Sequence, residues 1–557
     1  MSNSLRTGAE LLVDGLVTNG ADLVFGVPGE SYLAVLDALY DRQDVLRFIT
    51  CRQEGGAANM ADAYAKLTGR PGICMVTRGP GATNASIGIH TAFQDSSPVI
   101  LFIGQVGRDM MEREAFQEVD YRRMFGPMAK WVAQIDSADR VPEFVSRAFH
   151  TATSGRPGPV VLALPEDMLR DHAPAQTLRP HKPSQASPSD ASIADVRERL
   201  ARAERPLALL GGGTWTPEAV DDIAAFVHAN GLPVACSFRA TDCFDNRDPH
   251  YIGQVGLGLN PALANRLRQA DLLLAIGPRL GEITTAGYSH LSVPSPGQSL
   301  IHIHPGAEEL NRVYQADLAI MSGMPQAAAA VRRMAPVDGS AWAAWLSAAR
   351  ADQAAFFEPT RVPGSVNLGT VVRHVSDTVP DDAVITTGAG NYAAFVGRFY
   401  QYRRYRTLLG PTSGAMGYGV PAAVAAKIAR PERSVISFNG DGCFLMNGQE
   451  LATAVQYDAP VVFIVAKNGT YGTIRMHQER DYPDRVLGTD LRNPDFAALA
   501  VAYGAWSARV SKTEDFPAAF DAALAEGRPA LIELIVDPEA ISPSATLSAI
   551  RGSGAAS

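Results

Sequence analysis

An α/β protein of three doubly wound parallel-sheet domains is the fold class this sequence predicts, on three observations. Short apolar segments alternate with amphipathic helical ones along most of the chain, which is the rhythm of parallel strands covered by helices on both faces. At 557 residues the chain is longer than one hydrophobic core can serve. A polar, Pro/Ser-rich stretch at 173–192, containing Pro180-His181-Lys182-Pro183-Ser184, reads as a linker.

The elements follow in order. Thr7-Gly8-Ala9-Glu10 has the form of a capping box, and Leu11, Leu12, Leu16 and Val17 give the following helix one apolar face. Apolar runs at 23–25, 72–77, 99–104 and 160–164 are strands of an N-terminal domain spanning 1–175. A central domain, 192–335, opens on Arg205-Pro206-Leu207-Ala208-Leu209-Leu210 with Gly211, Gly212 and Gly213 after it, and has further strands at 270–276 and 299–304. A C-terminal domain covers 360–540. The tail, 541–557, is low in large apolar residues and is expected to be disordered or to order only as a lid.

Composition narrows the function. Hydrophobic residues at 46% and charged residues at 19% describe an ordinary globular protein. Fifty-eight acidic against 49 basic residues, a net charge of −9, exclude nucleic acid or an anionic membrane as the main partner. Cys51, Cys74, Cys236, Cys243 and Cys443 are odd in number and form no CxxC pair, which argues against a disulfide framework and suits a reducing cytoplasm. Neither a secretory signal nor an apolar run of about 18 residues is visible, so a cytoplasmic enzyme is expected.

The most informative motif is Gly440-Asp441-Gly442 after the apolar run Ser434 to Phe438, followed by a second apolar run that delivers Asn468. An aspartate and an asparagine at the ends of neighbouring parallel strands offer oxygen ligands to a hard cation such as Mg²⁺, which also binds phosphate oxygens. Gly442 lets backbone approach a phosphate, and the helix start beyond it offers amides.

This stretch resembles the fingerprint of thiamin diphosphate enzymes, a Gly-Asp-Gly followed about 25 residues later by Asn-Asn; here the second position is Gly469. The resemblance covers nearly the whole chain and implies metal ligation by Asp441, Asn468 and the Thr470 carbonyl. Gly440, Gly442, Cys443 and Gly472 fall in the same cofactor grip. In Arg52-Gln53-Glu54-Gly55-Gly56, Glu54 matches the glutamate that hydrogen-bonds N1′ of the cofactor pyrimidine, a geometric requirement of its proton transfer. In Ser413-Gly414-Ala415-Met416-Gly417, Met416 matches the apolar wedge between the two cofactor rings and Gly414 the carbonyl facing the 4′-amino group. Gly390 and Asn391 lie in a strand-to-helix turn of the diphosphate site, although acetolactate synthases usually carry Gln-His where this chain has Asn391-Tyr392.

Within the family the first domain is most similar to acetolactate synthases, through Arg78-Gly79-Pro80-Gly81-Ala82-Thr83-Asn84 and Ala115-Phe116-Gln117-Glu118. The resemblance places Phe116 and Gln117 beside the reacting centre, an apolar face plus an amide that suits a small 2-oxo acid or aldehyde. It implies a carboligase that decarboxylates a pyruvate-like 2-oxo acid and condenses the enamine with a second carbonyl. A homodimer or homotetramer with sites at the subunit interface comes with it.

Three departures complicate this. Glu166 replaces a family lysine, His477 replaces a tryptophan, and Glu30, in Gly26-Val27-Pro28-Gly29-Glu30, stands where acetolactate synthases usually have Gly and pyruvate decarboxylases Asp. Glu30 is expected to be an auxiliary acid/base whose environment raises its pKa. Alternatives are a lyase of 2-hydroxyacyl-CoA or 2-hydroxy ketones, a 2-oxo acid decarboxylase, and a non-catalytic cofactor-binding scaffold subunit. Relatives bind FAD or ADP in the central domain, commonly through an acidic residue where His304 stands, so either nucleotide is left open here.

Overall fold

The computed structural model describes residues 5–176 and 178–554. Twenty strands are present among them: β1 (Leu5–Thr7), β2 (Leu23–Gly26), β3 (Arg47–Thr50), β4 (Gly72–Val76), β5 (Val99–Gln105), β6 (Trp131–Gln134), β7 (Val160–Pro165), β8 (His172–Pro174), β9 (Pro206–Leu210), β10 (Val234–Ser237), β11 (Tyr251–Val255), β12 (Leu272–Ile276), β13 (Ser299–His304), β14 (Leu318–Met321), β15 (Val384–Thr387), β16 (Leu408–Leu409), β17 (Val435–Gly440), β18 (Val462–Lys467), β19 (Trp506–Val510) and β20 (Ala530–Ile535). Eighteen of them build three six-stranded sheets, and β1 pairs antiparallel with β8.

The sheet order β3-β2-β4-β5-β7-β6 is repeated, strand for strand, as β16-β15-β17-β18-β20-β19. The middle sheet, β11-β10-β9-β12-β13-β14, has the order 3-2-1-4-5-6 of dinucleotide-binding folds. Every pairing in the three sheets is parallel. Central strands such as β4, β5 and β7 are buried along their whole length, as expected of sheets covered on both faces.

The chain divides into two compact units. Unit 1 holds residues 1–184, 411–432 and 447–459; unit 2 holds 185–410, 433–446 and 460–557. In unit 1 the capping box forms as the sequence predicts: Thr7 Oγ1 accepts from Glu10 N at 3.2 Å, and Thr7 N donates to Glu10 Oε2 at 2.7 Å. The helix Gly8–Thr18 then buries Leu11, Leu12 and Leu16. Also in unit 1, helix Gly419–Ala429, apolar all round, packs on helix Glu54–Thr68, which is buried over most of its length.

The linker is shorter than the sequence suggests. His172–Pro174 is drawn into β8, and Ser189 caps a helix over Asp190–Arg202. The tail departs further, since Leu547–Gly554 is helical. Arg551 anchors it by donating Nε and Nη2 to the buried Glu479 at 2.7 and 2.8 Å, so side-chain pairing supplies what few apolar residues cannot. The last three residues lie outside those described.

Candidate active site

In both repeated sheets the chain runs one way from the first strand and the other way from the third, leaving a crevice beyond their carboxyl ends where ligands bind in open α/β sheets. In unit 2 that crevice lies past β15 and β17. Gly388 to Gly390 leave the first of these strands, and Asp441 follows the second.

Asp441 is 2% exposed, and its position is fixed largely by backbone. Its Oδ1 accepts from Gly442 N at 2.8 Å. Its Oδ2 accepts from Asn468 N at 3.2 Å, from Gly469 N at 2.8 Å and from the Asn493 side-chain amide at 2.8 Å. Burial pushes the Asp441 carboxyl above its ordinary range, and these four N–H donors pull it back. Asn493, absent from the sequence-level set, follows no strand and carries no motif, so only the folded chain reveals it.

Asn468 leaves β18, and its Oδ1 accepts from Thr470 N at 3.1 Å, which orients the amide. Thr470 is itself tied by its hydroxyl to Thr489 O at 2.9 Å. Gly469 has φ of +70°, a left-handed conformation that glycine and asparagine both tolerate. The Asn-to-Gly departure therefore preserves the turn.

The adjoining turn is less available to a ligand than the sequence suggests. Asn391 donates Nδ2 to Ile541 O at 2.9 Å and accepts from Thr473 Oγ1 at 2.9 Å, which engages it with the tail. Tyr392 is buried, accepts from Gly388 N at 2.9 Å and donates to Cys443 Sγ at 3.2 Å. Cys443 thus packs inside and meets its neighbours through Tyr392. Gly390, Gly440 and Gly472 sit where a Cβ would press on Tyr392 or Ile541 at 2.9–3.0 Å.

In unit 1, Glu54 is the first residue of helix Glu54–Thr68, capped by Gln53, whose side chain accepts from Gly56 N at 3.0 Å. The helix dipole favours a carboxylate there. Glu54 Oε2 accepts from Asn84 Nδ2 at 2.9 Å. Buried Glu450 accepts from Arg52 N and Gln53 N at 3.0 Å each, fixing the approach to this helix. Burial raises the Glu450 carboxyl above its usual value, against hydrogen bonds from Thr453 and those two amides.

The loop carrying Gly414 and Met416 is clamped in the same unit. Thr412 N donates to Asp95 Oδ1 at 2.6 Å, and Tyr418 Oη to Asp62 Oδ2 at 2.6 Å. Lys66 bridges both carboxylates, which are fully buried. Burial opposes the Lys66 charge, but Asp62 and Asp95 hold its pKa above the ordinary lysine value. Gly414 has φ of +67° and open space where a Cβ would stand, while Met416 is half-buried. The links from this loop to Asp95 and Asp62 gave no sequence signal, because their partners are 317 and 356 residues apart.

Past β2 and β4 lies the crevice of the unit 1 sheet, and three predicted residues gather there around one that was not predicted. Arg78 donates Nη2 to Glu30 Oε1 at 3.2 Å and Nε to Gln117 Oε1 at 3.3 Å, and its guanidinium lies 5.8 Å from the Phe116 ring centroid. Glu166 Oε2 is 3.8 Å from Nη1. Phe116, at 74% exposed, is not core packing. The Glu30 side chain is 57% exposed and faces the Arg78 cation.

The central glycines have a packing role. A Cβ on Gly212, at φ +72°, would lie 2.0 Å from Gly277 O, and one on Gly277, at φ +89°, would lie 2.2 Å from Gly211 O. The two turns past β9 and β12 meet backbone to backbone. His304 is buried, its Nδ1 accepting from Gly306 N at 3.0 Å.

A buried carboxylate and an oriented amide oxygen form a hard oxygen donor set, and Gly414 leaves room for a ligand in its own loop. Both fit a diphosphate cofactor with its cation. With the helix-terminal Glu54 of unit 1, these features match what the sequence resemblance to thiamin diphosphate enzymes implies. Residues 6–124, 193–331 and 388–534 match the N-terminal TPP binding, central, and C-terminal TPP binding domains of thiamine pyrophosphate enzymes.

The chain is 31% identical over 533 residues to the acetolactate synthase isozyme 2 large subunit of Escherichia coli (strain K12), covering 95% of each chain. It is 32% identical to the acetolactate synthase of Mycobacterium bovis, covering 96% of this chain and 88% of that one. To the probable acetolactate synthase large subunit of Methanocaldococcus jannaschii it is also 32% identical, with 95% and 92% covered. The chain belongs to the acetolactate synthase family of thiamin diphosphate enzymes. Among the described residues no helix is long and apolar enough to cross a membrane.

Proposed function

We propose that this protein is a thiamin diphosphate- and Mg²⁺-dependent carboligase that decarboxylates a pyruvate-like 2-oxo acid and joins the acyl unit to a second carbonyl. The observation that carries the reading is Asp441, a carboxylate 2% exposed, held by four N–H donors beyond the strand ends of a doubly wound sheet. A buried carboxylate in such a place is stabilised by a bound cation.

In this reading Asp441, Asn468 and the Thr470 carbonyl hold Mg²⁺, and the Gly442 turn receives the diphosphate. Bound thiamin diphosphate supplies, through its thiazolium, the electron sink that decarboxylation needs. Glu54 accepts a hydrogen bond from the pyrimidine ring, and Asn84 keeps its carboxylate aimed. The Met416 loop, clamped by Asp62, Lys66 and Asp95, shapes the cofactor's seat. Gln117 and Phe116 orient the 2-oxo acid. The family relationship supports a cytoplasmic homodimer or homotetramer.

The test is incubation with thiamin diphosphate, Mg²⁺ and pyruvate, following CO₂ release and identifying products by mass spectrometry. Condensed product dependent on both additives supports the proposal. Acetaldehyde as the sole product would replace it with a decarboxylase.

A further inference from the structure

From the Arg78 cluster we infer the class of the second substrate: an uncharged aldehyde bearing a hydroxyl group, selected over a second 2-oxo acid. The inference rests on the carboligase reading and deepens it. The first two turns of helix Gly79–Asp95 connect this cluster to Glu54, because Asn84 of that helix donates to Glu54 and Arg78 immediately precedes it. The charges around Arg78 therefore border the group proposed to activate the cofactor.

Those charges do not balance. Arg78, whose side chain is 11% exposed, is one cation between the carboxylates of Glu30 and Glu166, so the cluster is net negative. Its Nη2 donates to Glu30 and its Nε to Gln117, while Glu166 pairs with Nη1 across 3.8 Å, an ion pair without a hydrogen bond. An incoming carboxylate would share this one cation with two glutamates already paired to it and would be repelled by their charge. The two glutamates are more open than the cation they flank, 57% and 26% against 11% exposed, so they present the cluster's outer surface. Carboxylates only accept hydrogen bonds, and so they match a substrate that brings an O–H. The electron pair left when CO₂ departs from the 2-oxo acid forms the new C–C bond to the aldehyde carbon, and the aldehyde oxygen takes a proton from solvent to become the product hydroxyl.

Substrate competition tests this. The enzyme is given pyruvate as the acyl source, with glycolaldehyde and acetaldehyde as acceptors at concentrations equal to pyruvate, and products are quantified by mass spectrometry. The expected wild-type order is the glycolaldehyde adduct first, the acetaldehyde adduct second and acetolactate last. Glu166→Gln, which relieves the negative excess, is expected to move the product ratio about tenfold toward acetolactate. Glu166→Lys is expected to move it further, and folding is verified for both by thermal midpoint. Being a ratio of products, this readout is insensitive to a general loss of activity. CO₂ release with acetolactate dominant in the wild type, or with a ratio indifferent to both substitutions, overturns the acceptor assignment alone. Absence of CO₂ release from pyruvate, 2-oxobutyrate and benzoylformate in the wild type overturns the carboligase reading and the assignment with it.

Discussion

Asp441 and Arg78 follow the third strands, β17 and β4, of two sheets with the same strand order, yet the chain holds them in opposite ways. Asp441 is buried and receives three of its four hydrogen bonds from backbone amides. Arg78 is held by the side chains of Glu30, Gln117 and Glu166 at 3.2–3.8 Å, and Glu30 together with the neighbouring Phe116, whose ring centroid is 5.8 Å away, is more than half exposed. Backbone donors remain when side chains change, whereas a cluster of side chains can be rewritten by single substitutions. On the proposed reading, one sheet end holds the cofactor through backbone and the other meets the substrate through replaceable side chains.

The largest effect that would break this comparison is at Glu54, which shares the Arg78 crevice and is nevertheless proposed as fixed machinery. Glu54→Gln keeps an oxygen for Asn84 but loses the charge. CO₂ release should fall by about 10³-fold, within the range for lost acid/base participation. Stopped-flow or isotopic CO₂ assays decide it, and an active Glu54→Gln enzyme removes Glu54 from the mechanism.

Second in size is the clamp beneath the Met416 loop. Lys66→Met leaves Asp62 and Asp95 buried without their cation, a change that costs about 3–5 kcal/mol. Urea denaturation should show that loss, and a double Asp62→Asn, Asp95→Asn background should recover much of it. A stability loss below about 1 kcal/mol would place the pair in the class of weak surface ion pairs.

Asn493 sharpens the contrast from the other side, being the single side-chain donor on Asp441 among the hydrogen bonds described. Asn493→Ala should weaken apparent Mg²⁺ affinity about tenfold, as loss of a partner behind a metal ligand does. A Mg²⁺ titration of thiamin diphosphate binding measures this. An unchanged titration would mean that the backbone amides suffice.

The same contrast explains what was legible in the sequence. β17, β18 and Asp441 announce themselves by apolar runs ending in glycine, and Glu54 by a helix start, because these positions are set by local chain geometry. The Thr7–Glu10 capping box is equally local and forms as read. Arg78 reads in sequence only as part of a Gly-rich motif, since its meaning comes from Glu30, Gln117 and Glu166, which are 39 to 88 residues away. Asn493 and the links from Asp62 and Asp95 to the Met416 loop were invisible for the same reason, joining residues 52 to 356 apart. The tail misleads in another way: its composition lacks apolar residues, but Arg551, Asn391 and Arg398 supply polar anchors instead.

The smallest effect concerns that tail, a segment of unit 2 held in the manner of the Arg78 cluster. Hydrogen bonds from Arg551, with help from Asp484 N and Arg475, hold the buried Glu479 carboxyl down at about 2, against an ordinary value of 4.5. A carboxyl lowered on folding stabilises fully above its unfolded value, so anchoring should be constant above about pH 4.5. It should drain away as pH falls toward 2. Arg551→Ala removes the first of these partners, so the acid loss should become smaller and should end at a higher pH, its onset staying near 4.5. It should also speed amide exchange over 547–552 at neutral pH, while leaving exchange at β17 and β18 untouched. Hydrogen exchange read by mass spectrometry separates the two regions. Equal acceleration in tail and strands would mean that the helix is an integral part of the unit 2 core, whereas acceleration confined to the tail would show a segment that opens independently of the Asp441 turn.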